Sequence, residues 1–199
     1  MFHCDYTSNT EFQFATECED QCNSINLVGI YPQDKIEKAL ACNDLNSNEW
    51  VQFYIPEIVD IPCQKPDMEG IVSISSCIEI MSQKVIKTPQ VTGYTTATGT
   101  VILGEDIPNA ECTNLTGRKL IIEGLIKQKI IYTALEASQS LHSASFCIPF
   151  SVFIIVERDT PLNQSFKLNS YIEDVFACQL SERSVFKNTT IFIKATSIC

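Results

Sequence analysis

The chain has 199 residues, 45% of them hydrophobic and 19% charged. That is enough apolar material for one large or two small folded domains, and it excludes global disorder. A formal charge of −10 argues against nucleic acid and against anionic membranes as partners, because both need clustered Lys and Arg.

Residues 1–26 are polar and carry Cys4, Cys18 and Cys22. They read as an arm that must be tied down to be ordered. LVGIY (27–31) is a short strand candidate. In PQDKIEKALACN (32–43) a proline sits near the start and Ile36, Ala39 and Leu40 fall at helical spacing, which predicts one short helix. Residues 1–49 are thus a Cys-rich arm with a short helical segment, and residues 50–199 a β domain. WVQFYIPEIVDIP alternates from Trp50, and Pro56 and Pro62 confine it to a sheet edge or a bent segment. In the run 70–89, Val72, Ile74, Ile78 and Ile80 share one parity, with Ser73, Ser75, Cys77 and Glu79 on the other. QVTGYTTATGTVILG is Thr-rich and strand-prone, with glycines at bends. Residues 105–116 form a loop carrying Cys112.

Two long runs follow. In GRKLIIEGLIKQKIIYTA, Leu120, Ile122, Ile126, Ile130 and Tyr132 share a parity that Lys119, Glu123, Lys127 and Lys129 do not. That is the pattern of a half-buried strand. The run 146–156 is more continuously apolar and is expected to be buried on both faces. The pair predicts a central antiparallel hairpin joined through residues 136–145. Segments 165–180 and 184–198 supply further strands, and TTIFIKA (189–195) is a candidate open edge. The expected fold is all-β, an antiparallel β-sandwich with a polar N-terminal arm and one short helix, arranged as two similar halves around the hairpin. The opening MFHCDYTSNTEF has neither a basic nor an apolar leader region, and no run reaches the ~18 apolar residues of a membrane helix. Synthesis without a signal peptide and no membrane partner are therefore expected.

The hairpin also carries a resemblance. LTGRKLIIEGLIKQKIIYTA, QSLHSASF and IPFSVFIIV, in that order, resemble the core of the SPOCS domain of spore-forming clostridia and their relatives. IPEIVDIPCQKPDMEGI (55–71) and KVIKTP (84–89) resemble its upstream half. YIEDVF (171–176) and VFKNTTIFIKA (185–195) resemble its downstream half. Residues 1–49 lie outside the resemblance. It implies a spore-envelope protein with a role in coat or exosporium morphogenesis. It assigns no chemistry to any residue.

Ten cysteines are unusual for a protein kept in a reducing compartment. The spore reading resolves this. A chain made in the mother-cell cytoplasm reaches an oxidising exterior once that cell lyses, and disulfides form late. Cys4, Cys18, Cys22 and Cys199, in the arm and at the C-terminus, are the candidate cross-linkers between subunits. Cys42, Cys63, Cys77, Cys112, Cys147 and Cys178 are the other cysteines available for disulfides, and parity points Cys77 and Cys147 outward. A zinc site built from His3, Cys4, Cys18 and Cys22 is disfavoured, because no tight Cys-x-x-Cys pair exists. His142 lies near Ser140, Ser143 and Cys147 in sequence, but strand neighbours rarely meet triad geometry. A turn histidine bonded to backbone is expected instead. Glu57, Asp60, Asp67 and Glu69 are expected to form a solvated or partner-docking surface, with glycosidic acid–base work as the remote alternative. The sequons at Asn114, Asn163 and Asn188 are read as chance. The expectation is a non-enzymatic, cofactor-free structural protein of the spore surface. Its partners would be itself, as a lattice or filament, and other spore-coat or exosporium proteins. The runner-up is a monomeric binding module that docks a spore morphogenetic protein.

Overall fold

Alternation of period two dominates from residue 50 onward, and the alternating runs become strands. The computed structural model describes residues 25–41, 49–90, 93–95, 97–103 and 116–198. Among these, the strands are β1 (Asn26–Val28), β2 (Trp50–Asp60), β3 (Met68–Gln90), β4 (Gly93–Thr95), β5 (Val101–Leu103), β6 (Thr116–Ala134), β7 (Leu141–Ile155), β8 (Phe166–Gln179) and β9 (Ser184–Ser197). The helix α1 spans Gln33–Ala41, where the helical spacing predicted one.

Two sheets face each other in an all-β sandwich. One has the order β1-β3-β6-β7 and the other β2-β9-β8, while β4 and β5 form a separate two-stranded ribbon. All pairs are antiparallel except β1 with β3. β2 crosses to the second sheet and pairs with β9 along its whole length, Trp50↔Lys194 to Asp60↔Ser184. Upstream and downstream strands therefore interleave.

Among the described residues the core has two parts. Leu120, Ile122, Ile126, Ile148, Ile154, Ile191 and Ile193 belong to one cluster. Met68, Ile74, Ile130, Tyr132, Ile172, Val175 and Val185 belong to the other. Each draws on both sheets, so burial between the layers supplies the main favourable term. β6 is the inner strand that the parity of Leu120 to Tyr132 predicts; those side chains are fully buried.

Two expectations fail. β9, which contains TTIFIKA, lies between β2 and β8 and so has no open edge. The run 146–156 is buried on one face only. It falls largely within β7, an outer strand of its sheet, with Cys147, Pro149, Ser151 and Phe153 exposed. Continuous apolarity does not separate an inner strand from an outer strand whose exposed face keeps an aromatic residue.

Candidate functional site

The outer face of the four-stranded sheet follows from register. Reading across β3, β6 and β7, Ser75, Lys129 and Ser145 form one row and Cys77, Lys127 and Cys147 the next. Cys77 and Cys147 are exposed free thiols, as is Cys63 in the connection between β2 and β3. Lys127 pairs with Glu79 at 2.5 Å. That hydrogen bond and charge hold the Lys127 ammonium above the ordinary lysine range, and the two flanking sulfurs act in the same direction. Next along the face, a groove of about 430 Å³ is lined by Met81, Glu123, Gly124, Pro149, Phe150 and Ser151. Gly124 is required there. A Cβ at this position would sit 2.6 Å from the Phe150 ring and 2.7 Å from the Glu79 carbonyl oxygen.

A polar belt lies between the sheets. Gln128 is 2% exposed and donates from Nε2 to Ser76 Oγ at 2.9 Å and to Thr189 Oγ1 at 3.0 Å. Lys187 is 1% exposed and donates to Glu57 Oε2 at 2.8 Å. Burial lowers the Lys187 pKa, and the bond to Glu57 opposes that shift. Both residues stand in phase with apolar neighbours, Gln128 with Ile126 and Ile130, Lys187 with Val185 and Ile191. That phase is the signal in the sequence that marks them as inward-facing.

The four acidic residues Glu57, Asp60, Asp67 and Glu69 each meet a partner of their own. Glu57 points inward to Lys187, Asp60 accepts from Ser184 Oγ, Asp67 pairs with Arg183 at 2.6 Å, and Glu69 accepts from Gln139 at 2.8 Å. Arg183 is the residue that organises this end of the molecule. Its guanidinium also donates to the Ile61, Pro62 and Lys65 carbonyls, clasping the connection that carries Cys63. Alternation and spacing say nothing of that contact.

His142 begins β7 rather than a turn, and its Nε2 meets Ser140 Oγ at 3.1 Å rather than backbone. Its ring lies 6.0 Å from that of Tyr132, centroid to centroid. Among the described residues, no group of three or more His, Cys, Asp or Glu could hold a metal ion. Cys178 is buried and disulfide-bonded. Cys4, Cys18, Cys22, Cys42, Cys112 and Cys199 lie outside the described residues, as does His3 and with it the zinc reading. Asn114 is also outside them.

The three-stranded sheet presents a different outer surface. Trp50, Tyr54 and Ile58 point outward along β2 at 48%, 68% and 64% exposure. Rings continue across the sheet, with Trp50 stacked on Phe192 at 5.6 Å, Phe192 6.4 Å from Tyr171, and Tyr171 5.1 Å from Tyr31. These side chains form an exposed, largely aromatic row on this face.

A family model described as SipL, SPOCS domain, matches residues 67–179, more than half of the chain. The match runs from the start of β3 to the end of β8. No curated protein and no solved structure matches.

Proposed function

The chain belongs to the SPOCS-domain family, a sporulation-related domain, and from that premise we propose that it is a non-enzymatic structural protein of the spore surface. In this reading it is made in the mother-cell cytoplasm, assembles with its own copies into a layer or filament of coat, exosporium or appendage, and is locked by disulfides once exposed. Unpaired strand edges carry the reading. Among the described residues β7 pairs only with β6, and β1 covers only Ser73–Ser75 of the 23-residue β3. An open edge offers backbone donors and acceptors to another chain, and a contact that does not close on itself propagates.

A second reading is favoured by the apolar line of Trp50, Tyr54 and Ile58. Here the protein is a monomeric module, and this face docks a spore morphogenetic protein. Negative-stain electron microscopy of the purified chain, with and without reductant, separates the two. Ordered sheets or fibres support assembly. Dispersed particles under both conditions refute it and leave the docking module.

A further inference from the structure

Register decides what Cys77 and Cys147 can do. Both stand opposite Lys127, one on each side, and both are exposed and free. Two strand spacings separate them, about 10 Å, whereas a disulfide needs Cα atoms within about 7 Å. They cannot bridge each other without breaking the sheet. A one-residue slip would turn them inward, and the buried face of β6 between them forbids it. Their oxidation therefore requires sulfur from elsewhere.

The face is built for a close approach. Serine precedes each cysteine on the same side of its strand, Ser75 before Cys77 and Ser145 before Cys147, and the longer neighbours Lys127 and Glu79 are held to each other in an ion pair. Charge points the same way. The whole chain carries −10, yet the middle of this face sets Lys127 and Lys129 against Glu79 and Glu123. It is thus a place where a second acidic copy meets no net repulsion.

We propose that the outer face of the four-stranded sheet is a two-thiol cross-linking face, on which a second copy of this chain is held by disulfides through Cys77 and Cys147. This deepens the assembly reading and rests on it. The oxidant is a low-molecular-weight disulfide. One protein thiolate attacks it, forming a mixed disulfide and releasing one small thiol. A thiolate of the second copy then attacks the protein sulfur and expels the other small thiol. Two protein thiols lose two electrons and two protons, and the small disulfide becomes two thiols. Two such sulfurs on one face let a copy be held twice, or let it hold two neighbours.

The test uses the full chain, reduced and then exchanged into oxidised glutathione. Non-reducing gels and mass spectrometry read the products, with isotope-labelled and unlabelled copies mixed to identify links between copies. The expected result is a ladder whose inter-copy peptides contain Cys77 or Cys147. The ladder should be lost in Cys77→Ser/Cys147→Ser and kept in Cys63→Ser. An unchanged ladder in the double variant overturns the proposal, as does glutathione capping of both thiols with no cross-link, or a bridge between Cys77 and Cys147 of one copy. Microscopy of the double variant in reductant keeps the two ideas apart. If ordered assemblies persist while the mapped links bypass these thiols, the cross-linking face is wrong and the assembly reading stands. If neither the natural chain nor the variant orders, the assembly reading falls.

Discussion

Deleting the charge of Glu57 is expected to cost more than deleting the charge it neutralises. Lys187 is 1% exposed, while the Glu57 side chain is 27% exposed and reaches solvent. Glu57→Gln leaves an ammonium in the core with only an amide oxygen for a partner. Breaking a buried pair from one side costs about 3–5 kcal/mol, and the remaining hydrogen bond places this variant near ~3 kcal/mol. Lys187→Met removes the buried cation, keeps the stem, and leaves a carboxylate that hydrates. Its expected cost is about 1 kcal/mol or less, because the desolvation penalty is relieved together with the attraction. The double variant should resemble Lys187→Met, so the coupling equals the cost of Glu57→Gln, about 3 kcal/mol.

Urea unfolding in reductant, followed by the fluorescence of Trp50, the single tryptophan, and by circular dichroism, measures all four. pH supplies an independent check. Burial lowers the Lys187 pKa, so between its folded value and the ordinary lysine value near 10.4 the unfolded chain binds the extra proton and stability rises with pH. Below the folded value both states are protonated and the penalty is fully present. The natural chain should thus gain on Lys187→Met as pH approaches about 10. A Lys187→Met variant that loses as much stability as Glu57→Gln, or a natural chain that fails to gain on Lys187→Met as pH rises toward about 10, would refute the reasoning.

Gly124→Ala should destabilise by about 1–3 kcal/mol, since the new methyl meets the Phe150 ring and the Glu79 carbonyl. Phe150→Leu in the same chain should recover only part of this in thermal melts, because the backbone contact persists. Arg183→Ala removes the clasp on the Ile61, Pro62 and Lys65 carbonyls and the Asp67 partner. About 1.5–3 kcal/mol should be lost, and Cys63 should alkylate faster while Cys147 does not; equal rates before and after would count against the clasp. The Glu49 carboxyl is held above the usual range by burial first and by Glu157 second, with Lys194 opposing. Glu157→Gln should therefore move the Glu49 titration down, seen by NMR of the side-chain carboxyl, and an unmoved titration would dismiss the Glu157 contribution. The raised value also means that Glu49 favours folding below the ordinary carboxylate pKa and loses that contribution as pH rises through its folded pKa.

Much of this architecture was legible from residue order. Period-two alternation located most of the strands, and the spacing of Ile36, Ala39 and Leu40 located the helix, because a side chain's direction depends only on local backbone geometry. The same rule placed Cys77 and Cys147 on the outside before any partner strand was known. What alternation cannot supply is the identity of the neighbour. TTIFIKA reads alike as an edge or a centre, and only the pairing of β9 with both β2 and β8 decided it. The distance between Cys77 and Cys147 belongs to the same class. They are 70 positions apart in the chain, and it is β6 standing between them that keeps their sulfurs on one face and out of reach of each other. Nor did local order show that Glu57 and Lys187 are partners. They are separated by 130 positions, and only the docking of β2 on β9 closes that gap. Sequence fixes which way a side chain points because that is a property of one strand. Tertiary structure decides what it meets, because that is a property of at least two.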